Sequence, residues 1–137
     1  MANDLESALS IAASGMRAQG TRLKIVAQNI ANASSTSDRT GGEPYRRKMV
    51  TFANVLDREL DAKLVKIKNI KEDSSEFKLV YDANHPAAND KGFVKMPNVN
   101  ALVEMMDMRE AQRSYEANLN MIESSKQLMS RTIGLLR

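Results

Sequence analysis

Chemistry in this chain would have to start from one histidine, one glycine pair and an alternation of acids with bases, and each fails on spacing. His85 sits in the polar, turn-like Asp82-Ala83-Asn84-His85-Pro86, with no second His or Cys at ligand spacing, so a turn role is expected rather than a metal site. Gly41-Gly42 lacks the Lys-Ser/Thr that would follow and the strand that would precede it in a phosphate loop. Asp57, Glu59 and Asp61 alternate with Arg58 and Lys63 as on a solvated face, and no two carboxylates stand out as acid and base. The absence of cysteine excludes disulfides, thiolate metal sites and thiol nucleophiles. The expectation is a protein without catalytic, metal or cofactor-binding residues. Arg46-Arg47-Lys48 and the series Lys63, Lys66, Lys68, Lys71 read as a solvated strand face, or as a contact for an anionic partner such as an acidic protein surface or cell-wall polymer. Met105, Met106, Met108, Met121 and Met129 read as core filling at helical spacing before they read as an adaptable groove.

With chemistry set aside, the elements carry the argument. The 137 residues suit one domain or two small substructures, and 42% apolar with 4% aromatic residues and no Trp suits helix on helix. The formal charge is +3. It is spread thin, at +1 over residues 1–33, +2 over 34–97 and zero over 98–137, so no segment gathers the excess that duplex binding needs and no nucleic-acid partner is expected. The start of the chain, Met1-Ala2-Asn3-Asp4-Leu5-Glu6, is acidic, and no apolar run follows that is long enough for a signal core or a span. Neither a cleaved signal peptide nor membrane insertion is expected.

Leu5, Leu9, Ala12, Met16, Leu23, Val26 and Ile30, with Gln19 in the gap, alternate by four and three, which predicts a helix over 4–32 capped by Asn3 or Asp4. Ala101, Met105, Met108, Gln112, Tyr115, Leu119, Ile122, Lys126, Met129, Ile133 and Leu136 repeat the pattern and predict a helix from about 99 to 135, roughly 55 Å long at 1.5 Å per residue. So long a helix needs another long helix beside it. The fold class is therefore mainly α with a small β-containing middle segment, the terminal helices pairing as an antiparallel coiled-coil-like hairpin. Three parts follow: 1–33 as the first helix, 34–97 as loop and β-rich middle, and 98–137 as the second helix. Strands are predicted at 45–52, 64–68 and 77–81, with a short helix as the alternative between Val55 and Leu64. Of residues 2–33, 13 are Ala, Ser or Gly, so the first helix is expected to be surrounded by other helices, which one chain cannot provide. Other subunits are implied.

Ser14-Gly15-Met16-Arg17-Ala18-Gln19, Leu23 and Ala27-Gln28-Asn29-Ile30-Ala31-Asn32-Ala33 resemble the N-terminal signature of the bacterial flagellar rod, hook and hook-associated proteins. Ser34-Ser35-Thr36 stands where that family has a Thr soon after the second Asn. Met96-Pro97-Asn98-Val99-Asn100, Glu104-Met105 and Tyr115-Glu116-Ala117-Asn118 are similar to its C-terminal block. The short length, Pro44-Tyr45-Arg46-Arg47-Lys48 and Gly92-Phe93-Val94-Lys95-Met96-Pro97-Asn98 resemble its proximal-rod members.

The resemblance implies a structural subunit whose paired terminal helices form the inner tube of a hollow shaft around an export channel, with the middle segment facing outward. It implies passage through the flagellar type III export apparatus without a cleaved signal peptide, and residence in the periplasmic rod of the basal body, which serves motility by transmitting torque. Partners implied are copies of itself, other rod proteins and the export-gate/MS-ring adaptor at the rod base. The residues expected to carry assembly and packing are Leu9, Met16, Leu23, Asn29, Ile30, Asn32, Asn98, Val99, Met108, Tyr115, Asn118, Leu119, Ile122, Met129 and Ile133. The Asn29–Asn32 end of the first helix and Pro97-Asn98-Val99 are expected to lie close together, their amides capping helix ends or satisfying backbone groups. A soluble coiled-coil adaptor or export chaperone is the rival reading.

Overall fold

The computed structural model describes residues 2–135 and runs α1 (Ala2–Ala31), β1 (Lys48–Asp57), β2 (Ala62–Glu72), β3 (Lys78–Tyr81), β4 (Phe93–Met96) and α2 (Ala101–Leu135). Two long helices thus flank a β-containing middle, as composition and periodicity predict. α1 is already helical at Ala2, ahead of both expected caps, so Asn3 and Asp4 lie inside the first turn rather than at its cap. α2 starts one residue after Asn100, whose Oδ1 accepts from the N–H groups of Leu102 (3.1 Å) and Val103 (3.4 Å) in an N-cap arrangement.

The short helix considered between Val55 and Leu64 is not formed. β1 and β2 instead make a two-stranded sheet joined by a tight turn at 58–61, where the Asp57 carboxylate accepts from the N–H groups of Glu59 and Leu60 and Asp61 takes a φ of 46°. Apolar alternation on both sides, with a short polar turn between them, satisfies more backbone groups as a hairpin than one turn of helix would. β4 was not predicted as a strand. It pairs antiparallel with β3, Lys78 opposite Met96 and Tyr81 opposite Phe93, and the two rings meet edge to face at 5.4 Å. Gly92, at φ 80°, precedes β4 because a Cβ there would lie 2.8 Å from the Tyr81 ring.

The chain divides into two compact units, and α1, α2 and the β1–β2 hairpin each contribute residues to both. The first unit comprises residues 1–23, 51–69 and 109–137. Among the described residues its buried ones, Ala12, Ser14, Ala18, Ala62, Ala111 and Ser125, are all alanine or serine. Gly15 explains why: a Cβ there would stand 2.8 Å from the Asn118 amide, so the backbones of α1 and α2 approach too closely here for large side chains between them. The adjacent side of α1, about 100° round the helix from Gly15, meets the hairpin. Ser7 donates to the Leu60 carbonyl (3.2 Å), and the Ser14 hydroxyl donates to Ile11 (2.8 Å) while accepting from the Val65 N–H (3.1 Å). This corrects the expectation that other helices surround α1, since a sheet of the same chain lies on its second face.

The second unit comprises residues 24–50 and 70–108. Its apolar core holds Ile25, Val26, Ala87, Val94, Pro97 and Val99, and it buries two polar side chains as well, Asn29 and Glu104, each about as inaccessible as Val94.

Candidate functional site

Asn29, on the last turns of α1, is 1% exposed, so the amide needs partners within the protein. It has all four. Nδ2 donates to the Lys48 carbonyl (2.8 Å) and to Glu104 Oε2 (2.9 Å), while Oδ1 accepts from the Lys48 N–H (3.0 Å) and the Tyr45 hydroxyl (2.9 Å). The amide stands in for a neighbouring strand: it pairs both backbone groups of the first residue of β1 and so docks the sheet on the helix. Burial, then the charges of Glu104 and Glu72, hold the Tyr45 hydroxyl protonated above its usual range.

Glu104, in the first turn of α2, is 1% exposed and takes its second partner from Arg47 Nε. The same guanidinium meets Asp73 at 3.5 Å and Asp107 at 3.7 Å. Burial works against the Arg47 charge, but the hydrogen bond and charge of Glu104, with Asp73, outweigh it and raise the pKa. The Ser75 N–H, more than Arg47, holds the Asp73 carboxyl below its usual value against partial desolvation. Asn98 closes the cluster. Its Oδ1 accepts from the Arg47 N–H (2.8 Å) and its Nδ2 donates to the Asp73 and Ser75 carbonyls. Arg46 lies 4.2 Å from the Phe77 ring centre and donates to the same two carbonyls. The basic run read as a solvated or partner-facing strand is thus engaged internally at Arg46 and Arg47. Lys63, Lys66, Lys68 and Lys71 are exposed.

The expected meeting of Asn29 with Asn98 occurs through Arg47 and Lys48, which each amide holds by the backbone. Capping falls elsewhere than on these two residues. Asn32 Nδ2 satisfies the Gln28 carbonyl at the end of α1 (2.9 Å), Ser35 bonds its Oδ1, and Asn100 caps α2. Ile30 is half-buried and Val99 buried. His85 lies in a turn, its Nδ1 accepting from the Ala87 N–H (3.1 Å). Sequence reasoning missed Arg47, Tyr45, Asp73 and Glu104 as one cluster. A carboxylate one residue before an expected seam position, Glu104 before Met105, was the available signal.

The second candidate surface is α2 itself. Leu9, Met16 and Leu23 of α1 and Met108, Tyr115, Asn118 and Ile122 of α2 are half-buried, whereas Leu119, Met129 and Ile133 are exposed within the chain, as are Ala101, Met105, Gln112 and Lys126 of the expected seam; Leu136 lies outside the described residues. The inward column is displaced by one residue, to Glu104, Ala111, Asn118 and Ser125, all small or polar. Close approach of α1 at Gly15 and the polar cluster at Asn29 are the physical reasons. Leu102 (68%), Met106 (65%), Leu128 (55%) and Met121 (51%) are left facing solvent. Scattered exposed apolar residues are ordinary; a helix whose large apolar residues lie mostly outward marks an interaction face.

Comparison with known proteins accords with that reading. Residues 9–37 match the family model described as flagella basal body rod protein, and residues 90–135 that of the flagellar basal body rod FlgEFG protein C-terminal region. The chain is 52% identical over 133 residues to the flagellar basal-body rod protein FlgC of Agrobacterium fabrum, covering 97% of this chain and 96% of that one. It is 37% identical to FlgC of Bacillus subtilis (93% and 95% covered) and 40% identical to FlgC of Aquifex aeolicus (94% and 95% covered).

Proposed function

Since this chain belongs to the FlgC family of flagellar basal-body rod proteins and is a structural subunit of the basal-body rod, we propose that it assembles by burying the outward apolar face of α2 against neighbouring rod subunits. The exposure of Leu102, Met105, Met106, Met121 and Leu128 on one long helix is the observation that carries this. In this reading α1 and α2 pair antiparallel as a hairpin, a geometry supported by the opposed order of Gly15 near Asn118, Gly20 near Tyr115, and Arg22 against Glu110. Residues 1–33 and 98–137 then form the wall of a hollow shaft in the proximal rod, and residues 34–97 face outward. The partners are further copies, other rod proteins and the adaptor at the rod base.

A unit whose core is alanine and serine gains little from burial, so its helix ends are weakly ordered in the free chain and order fully when neighbours cover them. That suits export in an extended form through the flagellar secretion apparatus, without cleavage of a signal peptide, to a periplasmic site. An adaptor or chaperone reading is disfavoured by near full-length similarity to rod proteins. The test is complementation of a strain lacking the chain. Wild type should restore motility and appear in purified basal bodies, while Leu102→Asp with Met106→Asp should be expressed, remain soluble and leave the rod incomplete. Normal rods built from that double variant would sink the proposal.

A further inference from the structure

Within the first unit, the beginning of α1 and the last third of α2 leave a groove of about 860 Å³. Leu5, Ala8, Met121, Leu128 and Ile133 give it an apolar floor, and Asp4 and Glu6 an acidic rim. Glu6 is exposed. From Met121 to Ile133 the groove follows α2 for about 18 Å at 1.5 Å per residue.

The same chain carries a stripe that matches it. Leu102, Met106, Arg109 and Arg113 recur at i, i+4, i+7 and i+11, a spacing that puts them on one side of a helix, and all four are exposed. The stripe is about 16 Å long, apolar in its first half and basic in its second. Groove and stripe therefore agree in length, in apolar character and in the sign of charge.

We propose that this groove receives the Leu102–Arg113 stripe of a second copy of the chain. The proposal rests on the rod reading and specifies one of its contacts. Apolar on apolar and base on acid fix the direction: Leu102 and Met106 of the incoming helix lie near Met121 and Ser124, and Arg109 and Arg113 near Leu128 and Glu6. The incoming α2 then runs parallel to the receiving one, displaced by about 19 residues or about 29 Å. Groove and stripe are different surfaces, so the contact is head to tail. Each copy that docks presents a fresh groove, which produces an open series rather than a closed dimer.

The absence of native cysteine makes the test clean. Met106→Cys and Ser124→Cys, combined in one chain in motile cells, should give on mild oxidation of purified basal bodies a reducible ladder of cross-linked copies. Either cysteine alone should give no ladder, and Glu110→Cys with Ser124→Cys, about 70° round the helix from the centre of the stripe and one turn beyond Met106, should give at least five-fold less. Glu6→Arg should lower the Met106–Ser124 yield about five-fold, and adding Arg113→Glu should restore it. A chain present in basal bodies that does not cross-link overturns the proposal, as does a cross-link to a polypeptide of different mass. If the double-cysteine chain fails to enter basal bodies, the charge pair decides on motility alone, and failure of Arg113→Glu to rescue Glu6→Arg overturns it. Absence of the wild-type chain from basal bodies would instead defeat the rod assignment.

Discussion

Replacing Asn29 by alanine removes one side chain and disturbs four groups. Tyr45 is half-buried and can turn its hydroxyl to water, and Glu104 keeps Arg47. The Lys48 N–H and C=O are left without the partner that the amide supplied. A buried backbone group left unpaired costs about 1–3 kcal/mol, and Lys48 is only half-buried, so the pair should cost about 3 kcal/mol. That is a large share of the roughly 5–15 kcal/mol by which a domain is stable. With a urea slope of about 1–2 kcal/mol per molar, the midpoint followed by far-ultraviolet circular dichroism on the purified chain should fall by about 2 M. Asn32→Ala, which removes only a cap on the half-exposed end of α1, should shift it by less than about 0.5 M. Asn29→Asp keeps both acceptors but loses both donors and sets a second carboxylate against Glu104; it should match or exceed the alanine loss at pH 7 and recover part of it toward pH 4. A midpoint for Asn29→Ala within about 0.3 M of wild type, or equal effects at Asn29 and Asn32, would refute the claim that the amide replaces a strand.

Gly15→Leu places a branched side chain where even a Cβ meets Asn118, and should lower stability by about 1–3 kcal/mol, read as a fall in melting temperature, despite the better helix propensity of leucine. The pH profile of stability follows from two shifted groups. Asp73 is held below its usual 3.8, so its contribution is complete above that pH and fades as pH falls through the lower folded value; Asp73→Asn should flatten the acid limb of a thermal-melt series. Tyr45 is held above its usual 10.0, so its contribution is present below pH 10 and lost as pH rises beyond it, and Tyr45→Phe should flatten the alkaline limb. Limited proteolysis of the free chain should trim both helix ends first and leave a fragment close to residues 24–108, because the larger apolar core and the polar cluster lie in the second unit. Resistance of residues 1–23 and 109–135 equal to that of residues 24–108 would contradict the weak ordering of the first unit.

The long helices were legible because a four-three alternation sustained over many turns has few other solutions, and their extents agree with the structure to within about two residues. The inward face of α2 was not legible. Periodicity ranks residues by apolarity, so it selected Met105, Leu119 and Ile133, whereas contact with α1 selected Glu104, Ala111 and Ser125 by size and hydrogen bonding. The alanine- and serine-rich composition of α1 did signal close approach on more than one face. It could not say that the second neighbour would be a hairpin of the same chain, since Ser7 and Ser14 bond to turn and strand backbone that carries no pattern of its own. Arg47 was hidden for a related reason. Its three carboxylate partners come from positions 73, 104 and 107, and nothing in a run of three bases tells which one turns inward.

The outward apolar face of α2 reverses the usual expectation for mutational tolerance. In a monomeric protein the exposed positions accept change and the buried ones resist it. Here Ala111 and Ser125, deep inside, leave room only for small side chains, while Leu102, Met106 and Leu128, open to water in the single chain, lie on the face proposed to meet neighbours. Substitutions chosen for better solubility would fall on those open positions. On the proposed assembly they would give a well-behaved, highly expressed protein that folds, stays monomeric and is left out of the growing structure.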